Sequence, residues 1–152
     1  MAYIVTDACI GCRACSKICP SHAVTGEKEE IHFINDETCI ECGACGRVCP
    51  SKAIIDSFGL IIEKISKKSW VRPYFNLDTC MSCNICVDTC PANALDTTLQ
   101  KVGSRHLLPF LADETSCMAC GFCAQDCPVD AVEMGPRQST KSKEKKEETQ
   151  EA

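Results

Sequence analysis

Aromatic residues are scarce in this chain. Its 152 residues include five Phe, two Tyr and one Trp, 5% in all, too few for a large ring-packed core. No apolar run approaches the ~18 residues of a membrane-crossing helix, so no membrane span is expected. The opening MAYIVTDACIGC has neither the basic start nor the long apolar stretch of a secretory signal, and a cytoplasmic location is expected. An excess of positive charge is also missing. The formal net charge is −5, which argues against a nucleic-acid partner. No G-x-G-x-x-G follows a strand-like run and no P-loop occurs, so no nucleotide site is expected. A C-x3-C-x2-C run of the kind used by radical SAM enzymes is absent as well. At 24% charged and 45% apolar, the composition is nonetheless globular.

What the chain has in excess is cysteine. The sixteen cysteines fall into four groups: Cys9, Cys12, Cys15, Cys19; Cys39, Cys42, Cys45, Cys49; Cys80, Cys83, Cys86, Cys90; and Cys117, Cys120, Cys123, Cys127. Each group reads C-x2-C-x2-C-x3-C, and each fourth cysteine precedes a proline: Pro20, Pro50, Pro91 and Pro128. A disulfide framework has no reason to repeat this spacing, and such close neighbours poorly match the geometry of a bridge. Structural zinc usually takes two C-x2-4-C pairs separated by a loop, which differs from three cysteines in close succession followed by a fourth. Proline fixes φ and offers no N–H, so it ends the short helical turn expected to carry the fourth cysteine. Small residues in the runs, Gly11, Gly43, Ala44, Gly46, Ala119 and Gly121, suit loops whose backbone N–H groups point inward.

The gaps between successive groups are 19, 30 and 26 residues, so the longest lies in the middle. Short apolar segments precede the groups at residues 3–5, 31–34, 74–77 and 108–111. After each comes Pro-x-x-Ala and a further apolar stretch at residues 23–24, 53–55, 94–95 and 131–132. The pattern predicts strand, cysteine loop, helical turn and strand, repeated with pseudo-twofold symmetry.

The run C-x2-C-x2-C-x3-C-P is similar to the bacterial ferredoxin signature. Residues 1–57 resemble a clostridial-type two-cluster ferredoxin, and residues 74–135 resemble a second, slightly enlarged copy. The resemblance implies an α+β fold of two tandem ferredoxin-like 2[4Fe–4S] modules, with small β-ribbons and short helices around four [4Fe–4S] clusters. Residues 58–73 would be a linker and 136–152 a disordered charged tail. The resemblance also implies crossed ligation. Site I takes Cys9, Cys12, Cys15 and Cys49, and site II takes Cys39, Cys42, Cys45 and Cys19. Site III takes Cys80, Cys83, Cys86 and Cys127, and site IV takes Cys117, Cys120, Cys123 and Cys90. A nested pairing of first with fourth group, as in four-cluster subunits of molybdenum oxidoreductases, is the competing arrangement. Four oxidised clusters with their thiolates bring the net charge to about −13.

The expected function is one-electron transfer, without catalysis, since complete cysteine sets leave no iron open to substrate. One context is the electron-transfer subunit of a larger cytoplasmic oxidoreductase, with a flavin- or metal-containing partner. The others are a freely diffusing polyferredoxin, and an interaction or assembly module with structural clusters. Several residues carry two readings. Arg13 and Asn84 occupy the position of Gly43 and Gly121, where each either tunes a cluster or stays passive. Tyr3, Phe33, Phe75 and Phe110 are expected to pack as core and shield the clusters. The linker, with Leu60, Ile61, Ile62, Ile65, four basic residues and Trp70, either packs between the modules or docks a larger subunit through Trp70. The insert at 97–108 has the same two readings. His22, His32 and His106 are left out of the metal sites because cysteines fill them.

Overall fold

Cysteine runs rich in turns leave room only for short elements, and the computed structural model, which describes residues 2–99 and 105–137, contains nothing else. In the first half, β1 (Ile4–Val5), α1 (Ala14–Ile18) and β2 (Val24–Thr25) are followed by β3 (Phe33–Ile34), α2 (Ala44–Val48) and β4 (Ile54–Ile55). A 3-10 turn spans Lys67–Ser69. The second half repeats the order with β5 (Arg72–Phe75), α3 (Ile85–Asp88), β6 (Leu95–Leu99), β7 (Leu107–Leu111), α4 (Phe122–Gln125) and β8 (Val132–Gly135). Among the described residues, no helix is long and apolar enough to cross a membrane.

The strands form four two-stranded antiparallel ribbons. Within each half the outer strands pair with each other and the inner strands pair with each other. Ile4 lies opposite Ile55 and Val24 opposite Ile34; Phe75 lies opposite Val132 and Leu95 opposite Leu111. Such ribbons are marginal alone. They are held because α1 packs on α2, α3 on α4, and each half closes around its own cysteines. The seven additional residues of the second half lengthen the β6–β7 ribbon to five residues per strand. Residues 100–104 of that insert, and 138–152 of the expected tail, lie outside the described residues.

Two aromatic expectations are corrected. Tyr3 and Phe75 pack against the cores as anticipated, but Phe33 is 66% and Phe110 39% exposed. Strand alternation explains it: Ile34 beside Phe33, and Pro109 and Leu111 on either side of Phe110, take the inward positions, and successive side chains point to opposite faces.

The segment after β4 does not present one continuous apolar face. Ile61 bridges to Ile55 along the first ribbon, and Ile62 alone of the four apolar residues packs against the first core, while Leu60, Ile61 and Ile65 remain exposed. Ile62 presses on α2 where Gly46 sits; a Cβ at Gly46 would lie 2.6 Å from it. The chain then runs over α2, with Ile65 N–H donating to the Arg47 carbonyl at 3.0 Å. It ends at Trp70, which is 3% exposed and packed with Ala44, Met118 and Ala119 from both halves. Trp70 therefore pins the halves together and offers no exposed anchor to a partner.

Candidate metal centres

The four cysteine loops share one backbone design. The residue before each second cysteine (Gly11, Glu41, Ser82, Ala119) has positive φ, and so does the residue after it (Arg13, Gly43, Asn84, Gly121). A third left-handed residue follows each Cys-Pro: His22, Lys52, Asn93 and Asp130. Left-handed turns make concave nests of backbone N–H groups suited to an anionic guest. A small side chain is required by space only at particular positions, such as Gly11, where a Cβ would collide with the Glu29 backbone nitrogen. The shared requirement is left-handed geometry, which costs a non-glycine residue about 1–2 kcal/mol.

The Pro-x-x-Ala signature has an equally direct cause. The Ala N–H donates to the fourth cysteine's Sγ in every group: Ala23 to Cys19 and Ala53 to Cys49 at 3.3 Å, Ala94 to Cys90 at 3.4 Å, and Ala131 to Cys127 at 3.2 Å. These alanines are buried, so a larger side chain has no space. In the first half a hydroxyl adds to this. Ser21 Oγ lies 3.6 Å from Cys19 Sγ and Ser51 Oγ lies 3.5 Å from Cys49 Sγ. The corresponding second-half residues, Ala92 and Val129, have no hydroxyl.

Three small closed cavities gather the cysteines. One is lined by Cys9, Cys12, Cys15 and Cys49. A second is lined by Cys19, Cys39, Cys42 and Cys45. A third is lined by Cys90, Cys117, Cys120 and Cys123. In the remaining group, burial first, then the charges of Cys80, Cys83 and Cys127, push up the Cys86 thiol. Each of the three cavities takes three cysteines from one group and the fourth from its neighbour in the same half. Burial pushes Cys45 and Cys123 furthest, each up to about 12, reinforced mainly by the neighbouring Cys42 and Cys120 respectively. Cys12 and Cys83 are the exposed cysteines.

Other side chains reach these sites. Arg13 lines the Cys9 cavity with an exposed side chain. Asn84 carries a buried Oδ1 without a partner. His32, which spacing alone gave no reason to single out, is 2% exposed and lines the Cys9 cavity. Its Nδ1 lies 3.1 Å from the Glu30 carbonyl and 4.0 Å from Cys9 Sγ, and its Nε2 is buried without a partner. The repeat held a signal for it: Tyr3 lines the Cys39 cavity in the corresponding way.

A family model for the 4Fe-4S dicluster domain matches residues 8–53 and 79–131. One subunit of the ion-translocating oxidoreductase complex of Magnetococcus marinus is 47% identical over 34 residues, which cover 22% of this chain and 19% of that protein. The chain therefore matches less than a fifth of that relative's length. Among solved structures, the formate dehydrogenase–heterodisulfide reductase–formylmethanofuran dehydrogenase complex from Methanospirillum hungatei includes a chain similar at TM-score 0.42 and 22% identity, over 91% of this chain and 54% of that one. Two dicluster domains and sixteen cysteines give four [4Fe–4S] clusters. The all-thiolate donor sets and the N–H groups aimed at their sulfurs fit that cofactor.

Proposed function

Because this chain belongs to the 4Fe-4S dicluster domain family, whose role here is iron–sulfur electron transfer, we propose that it is a non-catalytic electron-transfer subunit of a larger cytoplasmic oxidoreductase. The carrying observation is that three cavities are each lined by four cysteines, three from one run and one from its neighbour. That supports crossed ligation at sites I to IV within modules 1–57 and 74–135, and disfavours the nested pairing.

A [4Fe–4S] cluster takes up and releases one electron at a time, and the residues around it do the rest. Sixteen thiolates complete four sets, so no ligand position is left for substrate. Ala23, Ala53, Ala94 and Ala131 hold N–H donors on the fourth sulfur of each run, which stabilises the negative charge that reduction adds. Val24, Ile34, Ile54, Leu95 and Val132 exclude water from the same sites.

Subunit status is supported by the named oxidoreductase complex of the Magnetococcus relative. It is also supported by Phe58, Leu60 and Ile61, which expose 87%, 66% and 59% of their surface within four residues. Clustered apolar exposure of this kind marks an interaction site. The test is anaerobic purification from the native source, counting iron and sulfide and identifying co-purifying chains. The expected result is about sixteen iron atoms per chain together with a flavin- or metal-containing partner. A lone chain with full iron would instead make it a mobile polyferredoxin. Clusters that dithionite cannot bleach would make it an assembly module.

A further inference from the structure

We infer that the four sites are strung in the order I, II, IV, III, not in chain order, and that Arg47 clasps the two middle ones. This rests on the ligand sets proposed above. The two halves meet through the second and fourth cysteine runs. Arg47, on α2 between Cys45 and Cys49, sends its guanidinium across the junction. Its Nη1 donates to the Ala119 carbonyl at 3.0 Å, and its Nη2 donates to the carbonyls of Met118 and Cys42, both at 2.8 Å. One side chain thus ties the backbone beside Cys42 to the backbone beside Cys120.

The surroundings are built to keep it there. The guanidinium lies 5.2 Å from the Trp70 ring centre, a cation–π distance, and the Trp70 indole N–H donates to the Ile65 carbonyl at 3.0 Å. Cys42 and Cys120 both border the buried cluster of Ala44, Trp70, Met118 and Ala119. At the far ends, the site I and site III loops present Cys12 and Cys83 to solvent. Each outer site has one exposed cysteine, whereas the inner sites have none and are joined across the junction.

Traffic between the halves then passes from the Cys42 loop to the Cys120 loop, or in reverse. One electron leaves one site and arrives at the other; no bond is made or broken, no proton moves, and an external low-potential donor such as dithionite supplies the electron. Arg47 is a positioning residue in this step. Its planar fork reaches three carbonyls, which a lysine ammonium on its flexible stem does not reproduce.

The test compares holoprotein with R47A and R47K, both prepared anaerobically and fully reduced with dithionite. Iron is counted first. A wild-type count well below sixteen per chain overturns the ligand sets themselves. With full iron, wild type is expected to show magnetic interaction spanning both dicluster pairs in its electron paramagnetic resonance spectrum. In R47A the spectrum is expected to collapse to two non-interacting pairs, and emission from Trp70, the sole tryptophan, to shift red as the junction opens. R47K is expected to follow R47A, and it carries the test alone if R47A loses iron. Full iron with an unchanged interaction spectrum and unshifted Trp70 emission in R47K overturns the clasp.

Discussion

At the residue scale, a sulfur environment is set by a few donors. Polar neighbours add to these, and His32, whose Nδ1 lies beside the Glu30 carbonyl and Cys9 Sγ, is the least anticipated. Replacing it by Phe keeps the ring volume but removes the nitrogen beside Cys9, and loss of a polar partner near cluster sulfur disfavours the more negative, reduced state. The H32F protein is expected to retain full iron while the midpoint potential of site I falls, read by a redox titration followed by paramagnetic resonance. The Ser21 and Ser51 hydroxyls act in the same sense. S21A and S51A are expected to lower the potentials of sites II and I respectively, with sites III and IV unchanged in the same titration. The cysteines were legible because metal chemistry constrains both their type and their spacing. His32 was not, because its role comes from burial beside Cys9, and spacing carries no information on burial. The loop residues were half legible: glycine at Gly43 and Gly121 announces positive φ, whereas Glu41, Ser82 and Lys52 adopt it against their intrinsic preference.

At the scale of elements, the place of each strand was foreseeable, since short apolar runs flanked by turn residues leave little else to build, but Leu95–Leu99 and Val132–Gly135 run four and three residues past the apolar stretches at 94–95 and 131–132. The linker was not, because its residues are divided between a bridge to β4, a contact on α2 and a plug between halves. Two substitutions separate these roles. Trp70→Ala removes the plug and leaves a cavity between the halves, with an expected cost of about 3–5 kcal/mol in thermal unfolding of the holoprotein. Gly46→Ala drives a methyl into Ile62, an overpacking cost of about 1–3 kcal/mol; pairing it with Ile62→Ala is expected to restore most of the loss. Phe33 and Phe110 show why ring content alone misleads: one residue of register decides which face of a ribbon a side chain occupies.

At the scale of the whole molecule, short ribbons and helices of four or five residues bury too little to fold unaided, so cluster binding and folding are one event. Stripping the iron with a chelator is expected to abolish most of the circular dichroism signal. Thiols add a pH dependence. In the unfolded chain most of them hold their protons near neutral pH, and ligation must expel those protons. Reconstitution with iron and sulfide is therefore expected to release protons and to speed up as pH rises from about 7 to about 9; a flat profile would contradict it. The fold's repetition was readable from the four runs, but the order in which the halves meet was not, because it is fixed by Arg47 and Trp70 rather than by any repeat. The exposure of Cys12 and Cys83 also bears on how the protein ages. Oxygen reaches solvent-facing thiolates first, so damage is expected to begin at both extremities and spare the middle. An air-exposed sample would then lose its outermost iron early, leaving a shortened, partner-blind remnant whose buried pair still holds metal.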